Sequence, residues 1–242
     1  MEAELASLKN HRRALIYALA LLVAMLAVFL VVGRHPGRPG TTTTLPFVGR
    51  FDQTVYDAMG HIRTTVLTWV AKALNVLGGG IVTIPLRIIV ALFLVIWRRW
   101  RGLSAWMITW ILAEVMLRAT KAWFARPRPP HPLVLTTGFS FPSGHAVAAS
   151  ATAVAIVLIA VPPGLRRRKW ELLTILFSFV MAMSRVYLNA HWFSDVVAGV
   201  LLGTGVAVGS AALVTEIRNL IVRRRAMSAW GSRAVTAGPR AP

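Results

Sequence analysis

The chain has no cysteine in 242 residues, which removes disulfides, thiolate nucleophiles and thiolate-ligated metal from consideration. Acidic residues are also scarce. Eight Asp and Glu stand against 27 Lys and Arg, leaving a carboxylate-rich two-metal hydrolase little to build from. Charged residues of both signs reach only 14%, well below the roughly 25% of soluble domains. What replaces them is apolar: hydrophobic residues make up 56% and the mean hydropathy is +0.64, which points to a membrane. A net charge of +19 would suit nucleic acid, but its distribution argues otherwise. The cations fall in short clusters between long apolar runs, as in loops flanking membrane helices. A nucleic-acid reader collects them on one face or tail, so no nucleic-acid partner is expected.

Six apolar runs are present: Ala14–Val32, Ile81–Trp97, Leu103–Ala119, Ala146–Val161, Trp170–Met183 and Val196–Val214. Several fall short of the ~20 residues a spanning helix needs, so they must draw on flanking residues. The basic stretch Lys9–Arg13 ahead of the first run resembles the start of a signal peptide. That run is long for such a peptide, and Gly33-Arg-His-Pro-Gly follows it where a small-residue cleavage site would stand, so a retained helix is expected. From Phe51 to Leu77, Val55, Met59, Ile62, Val66, Leu67, Val70, Leu74 and Leu77 recur near helical spacing, interrupted by Asp52, Asp57, His61, Arg63 and Lys72. This predicts a helix lying in the interface, with a seventh span as the alternative. The expected fold is an all-α integral membrane protein, a six-transmembrane-helix bundle with an interfacial amphipathic helix between spans 1 and 2. A basic amino terminus (1–13) precedes the membrane domain (14–223, with an outer segment at 33–78), and an irregular basic tail (224–242) follows it.

The positive-inside rule sets the orientation. With the amino end cytoplasmic, the loops after even-numbered spans carry Arg98-Arg99-Trp100-Arg101, Arg166–Lys169 and Arg218–Arg225, all dense in cations. Both termini are therefore expected in the cytoplasm.

Three other stretches then fall together on the outer face: Lys121 to Pro129, Pro142-Ser143-Gly144-His145, and Ser184-Arg185 through His191 to Asp195. Their chemistry suits phosphoryl transfer, in which fixed cations and backbone donors stabilise charge on the equatorial oxygens. Lys121, Arg128 and Arg185 supply cations, and arginine offers a planar fork matched to phosphate. Ser143 and Gly144 precede an apolar helix, whose free N–H groups favour an anion. His191 and Asp195 stand four apart, so on a helix they share a face and the carboxylate can orient the ring as a nucleophile. His145 is placed to protonate the leaving oxygen and then activate water. Singly, these stretches have ordinary explanations as interfacial cations, a turn with a serine N-cap, and a structural His–Asp pair. Their order and common side favour one site.

The stretches resemble the signature of the type 2 phosphatidic acid phosphatase superfamily, which also includes bacterial acid phosphatases and vanadium haloperoxidases. That pattern is Lys, six residues, Arg-Pro; Pro-Ser-Gly-His; and Ser-Arg, five residues, His, three residues, Asp. The sequence matches it at every defining position from Lys121 to Asp195. The resemblance implies a helical bundle, a phosphohistidine intermediate on His191, no metal or other cofactor, and phosphate held by Lys121, Arg128, Ser143, Gly144 and Arg185. A site at the bilayer surface suits a lipid phosphate: a polyprenyl diphosphate, phosphatidate or phosphatidylglycerol phosphate, with family analogy leaning to the first. A phosphotransferase with an alcohol acceptor is the nearest rival. An anion transporter would leave both histidines and Asp195 without a role, and haloperoxidase chemistry fits a membrane-embedded chain least.

Arg87 and Glu114 are costly inside spans, and either they pair with each other or Glu114 pairs with Arg118 one turn on. Gly199, Gly203, Gly205 and Gly209 predict close packing of the sixth span within the bundle. His131 reads as a solvated loop histidine beside the site.

Overall fold

The computed structural model describes residues 16, 19–21, 23–30, 32 and 45–236, with side chains to 222 and at 224. The basic amino terminus, the 33–44 loop and the last six residues lie outside these. The elements are α1 (Leu19–Leu30), α2 (Pro46–His61), α3 (Thr65–Gly78), α4 (Gly80–Ile96), α5 (Trp100–Phe124), α6 (Gly144–Ala160), α7 (Leu165–Tyr187) and α8 (Phe193–Thr236). No strand occurs among the described residues.

Helix ends follow local chemistry. α5 stops at Ala125, in the left-handed region at φ 45°, just before Arg126-Pro127. Proline disfavours helix for the residue ahead of it, which releases the chain into the loop carrying Arg126 and Arg128. Pro162-Pro163-Gly164 separates α6 from α7 in the same way.

The single interfacial helix expected over Phe51 to Leu77 is two helices. α2 ends at His61, and α3 starts after Thr64, whose hydroxyl accepts the Leu67 N–H at 3.2 Å. The Tyr187 hydroxyl also bonds both the N–H and the carbonyl of Thr64, at 3.1 Å each. With those backbone groups engaged by a serviceable cap and by α7, the helix cannot run through.

Among the described residues, three helices are long and apolar enough to cross a bilayer: α5, α7 and the Phe193–Val222 part of α8. α3 and α4 pass jointly as a pair bent by 44°, while α1 and α6 are shorter apolar helices. Length and composition therefore support three spans, or four with the bent pair. The outside of the bundle is apolar, with Ile81, Ile89, Leu172, Ile175 and Phe179 exposed. Small and polar residues such as Ala146, Ser150, Ala198 and Thr109 are buried. This polarity suits helices that face lipid and pack through small residues. The protein is an all-helical integral membrane protein.

α6 and α8 share the most extensive interface. A Cβ at Gly199 would stand 2.8 Å from both the Ser143 carbonyl and the Ala146 Cβ, so this crossing needs glycine. A Cβ at Gly209 would meet no neighbouring element within 4 Å among the described residues. Arg87 donates to Thr152 at 3.2 Å and lies over the Trp110 ring, while Glu114 pairs with Arg118 at 2.6 Å. The pairing is thus the intrahelical one. α8 continues through the last basic cluster to Thr236, where an irregular tail is expected from Ala226 onward. Adding turns to an existing helix carries no nucleation cost, and Arg, Ala and Met favour it.

Candidate active site

The ends of α5, α6, α7 and α8 converge. Ser143 N–H donates to the Asp195 carbonyl at 3.0 Å, fastening the start of α6 to the start of α8. Ser143 is the N-cap of α6, yet its hydroxyl makes no capping bond. That hydroxyl is buried without a hydrogen-bond partner among the described residues, as is Nε of Arg185. Buried polar groups are rarely left this way in a purely structural turn. A Cβ at Gly144 would meet only the Leu117 side chain, at an ordinary 3.5 Å, so the protein's own packing does not demand glycine there.

His191 and Asp195 meet by a different route from the shared helix face that their spacing suggests. α8 begins at Phe193, so His191 precedes the helix. Asp195 sits in its first turn and reaches back to accept the Trp192 N–H at 2.9 Å, as the third residue of a capping box does. The turn brings Oδ2 of Asp195 to 3.6 Å from Nδ1 of His191, an ion-pair distance longer than a hydrogen bond. On the other side of the ring, Nη1 of Arg128 lies 3.1 Å from Nε2. A guanidinium only donates, so Nε2 carries the lone pair and Nδ1 the proton. Burial pushes His191 down to about 3, against the pull of Asp195 and with help from the Arg128 and Lys121 charges. The ring is neutral at physiological pH, with its Nε2 lone pair turned to Arg128.

Arg128 is held by the carbonyls of Thr137 and Gly138 at 2.7 and 2.9 Å and by Ala190 at 2.7 Å. Burial also lowers its pKa, although Asp195 opposes the shift. Lys121, in the last turn of α5, donates to the Phe139 carbonyl, which Arg128 also approaches. His145 and Arg185 meet through α3: Nε2 of His145 lies 3.0 Å from the Asn75 carbonyl, and Arg185 donates to the Asn75 side-chain oxygen. The charge of Arg128 reaches both of them. All eight residues singled out in the sequence therefore border one region.

The sequence profile of the PAP2 superfamily matches residues 102–218. Phosphatidylglycerophosphatase B of Bacillus subtilis (strain 168) is 30% identical over 158 residues, covering 63% of this chain and 77% of that protein. The chain belongs to the PAP2 superfamily. An undecaprenyl-diphosphatase of Sulfolobus acidocaldarius is 30% identical over 166 residues, covering 65% of this PAP2 chain and 75% of the relative. The crystal structure of a transmembrane PAP2-type phosphatidylglycerolphosphate phosphatase from Bacillus subtilis superimposes with a TM-score of 0.69 at 25% identity, over 84% of this chain and 96% of that one. LpxE from Aquifex aeolicus shares the fold, with a TM-score of 0.55 at 24% identity over 66% and 94%.

Several residues of this PAP2 phosphatase that border the site escape its sequence signature. Arg126 donates to Asp195 at 2.6 Å and to Asp52 of α2 at 2.7 Å, all three being buried. Burial opposes its charge, but Asp195 and Asp52 outweigh this and raise its pKa. Ser140 donates to Asp195, and Ser194 donates to Asp52 through N–H and hydroxyl at 2.9 and 2.6 Å. Asp52 carried one sequence signal, an acid interrupting an apolar face. Asn75 carried none.

Proposed function

We propose that this PAP2 phosphatase is a six-span enzyme that hydrolyses a phosphate monoester or diphosphate of a lipid through a phosphohistidine on His191. The observation that carries this reading is the His191 ring. Its Nε2 lone pair faces Arg128, beside a helix amino terminus with an unpartnered serine hydroxyl. Lys121, Arg128 and Arg185, the Ser143 hydroxyl and the amide of Gly144 hold the phosphoryl oxygens. Nε2 attacks phosphorus as the bond to the leaving oxygen breaks, and His145 gives that oxygen a proton. Asp195 stabilises the imidazolium character that develops. Water then gives a proton to His145 and attacks the phosphohistidine, breaking the P–N bond and releasing phosphate. No metal enters this scheme.

Six spans, with both termini cytoplasmic and the site at the outer face of the cell membrane, are supported by the three basic clusters on the opposite side. α6 has 17 residues, so Pro142 and Ser143 complete its crossing near the interface. The substrate class follows from the relatives, whose names divide between phosphatidylglycerol phosphate and undecaprenyl diphosphate. An outward site fits recycling of a carrier lipid.

The test is phosphate release from a panel of lipid phosphates in detergent with EDTA present. His191→Ala is expected to abolish release. Turnover retained by His191→Ala overturns the nucleophile, and activity lost to EDTA overturns the metal-free scheme. Phosphoryl transfer to an added alcohol, with no free phosphate released in its absence, would instead identify a phosphotransferase.

A further inference from the structure

Four side chains form a buried chain behind the candidate nucleophile: His191, Asp195, Arg126 and Asp52. Asp52 is 2% exposed, Arg126 3% and Asp195 0%, so water screens none of their charges well. Arg126 alone would cancel the carboxylate that faces His191. It is permanently charged, and it holds Asp195 at 2.6 Å. Asp52 binds the same guanidinium on its other nitrogen at 2.7 Å, and its oxygens also take the Ser194 N–H and hydroxyl. The trio of Asp52, Arg126 and Asp195 therefore carries one net negative charge. The other charges near His191 are Lys121 from α5 and Arg128 from the loop, both positive.

We infer that Asp52 is a positioning residue for catalysis: by neutralising Arg126 it restores to Asp195 the negative charge that His191 needs as its ring becomes cationic. Asp52 touches neither the ring nor the phosphate cradle, and it comes from α2, outside the profile match at 102–218. The inference rests on His191 being the nucleophile.

The test uses the full-length protein in detergent, a short-chain phosphatidate and three variants. Asp52→Asn keeps the shape and an acceptor but leaves Arg126 to cancel the charge of Asp195; kcat is expected to fall about tenfold to a hundredfold with KM within about twofold. Asp52→Glu restores the charge and should recover kcat to within about threefold of the native enzyme. Asp52→Asn/Arg126→Gln removes both charges and leaves Asp195 with its own, so kcat should rise above that of Asp52→Asn. A bridge that merely braces α2 predicts the opposite order, because the double variant loses more hydrogen bonding. A folded double variant no faster than Asp52→Asn would overturn the inference, as would an Asp52→Asn enzyme with native kcat. Should Asp52→Asn fail to fold, the double variant decides alone, since the Asp195 carboxylate keeps its hydrogen bonds from Ser140 and the Trp192 N–H. Activity within about tenfold of native supports the relay, and a folded but inactive double variant refutes it. His191→Ala separates the two readings. If it keeps turnover, the nucleophile assignment has failed; if it is inactive while the series is flat, only the relay has.

Discussion

Replacing Gly199 with alanine tests whether the α6–α8 crossing sets the geometry of the site. The new Cβ would stand 2.8 Å from the Ser143 carbonyl oxygen and from the Ala146 Cβ. Restoring an ordinary contact requires α6 and α8 to separate by about 0.6 Å. The Ser143 N–H bond to the Asp195 carbonyl, 3.0 Å in the native structure, would lengthen past useful range. Ser143 and His145 ride on α6 and Asp195 on α8, so the phosphate cradle shifts against the carboxylate behind the nucleophile. Overpacking of this kind costs about 1–3 kcal/mol, partly offset by the roughly 1 kcal/mol that alanine gains over glycine in a helix. A displacement of this size lowers kcat/KM by about tenfold or more. The assay pairs thermal melting in detergent with phosphate release, and Gly209→Ala is the control because its Cβ would meet no neighbouring element within 4 Å among the described residues. If Gly199→Ala melts with the control and turns over at the native rate, α6 yields freely and the argument is wrong.

Ser143→Ala should melt within about 1 °C of the native protein, because its hydroxyl makes no cap bond, yet lose about tenfold or more in kcat/KM; a large loss of stability would return Ser143 to a structural role. His191 is pushed down to about 3, so the reactive neutral ring is fully present above that value and is lost only as pH falls through it. Its modification by diethylpyrocarbonate, followed by peptide mass spectrometry, should vary between about pH 5 and 8 only as the reagent's own stability does; a sigmoid centred near 6.5 would refute the burial argument. Glu114→Gln should change stability by less than about 0.5 kcal/mol, since its ion pair among the described residues is with Arg118 on an exposed face; a loss typical of a buried ion pair would show that Arg87 depends on it.

The three stretches that border the site were legible because phosphoryl chemistry constrains residue type and spacing at once. Their common location followed from an independent signal, the basic clusters at Arg98, Arg166 and Arg218. The helix-face argument for His191 and Asp195 reached the right pair through the wrong geometry, because four-residue spacing also occurs across a helix start. The break at Ile62–Thr64 was obscured by an apolar pattern that continues through it, although Thr64 is a serviceable N-cap. Asp52 and Arg126 are 74 residues apart, and no local pattern says that they meet. Asn75 is an ordinary polar residue on an apolar helix, and its contacts depend on how α3 packs against α6 and α7. Long-range contacts of this kind are fixed by packing, which single-chain periodicity does not encode.

The oxygen that Asn75 presents to Arg185 bears on how tightly this guanidinium can hold an anion. A guanidinium facing open water would capture any passing anion, inorganic phosphate included. At Nη1 an arriving phosphate displaces an acceptor already in place, so that nitrogen exchanges one oxygen for another and gains only the difference. For a lipid phosphate, partition of the tail into the bilayer adds to that difference. Free phosphate has no tail. Under the proposed mechanism, an anchored substrate would overcome the asparagine more readily than the liberated product does.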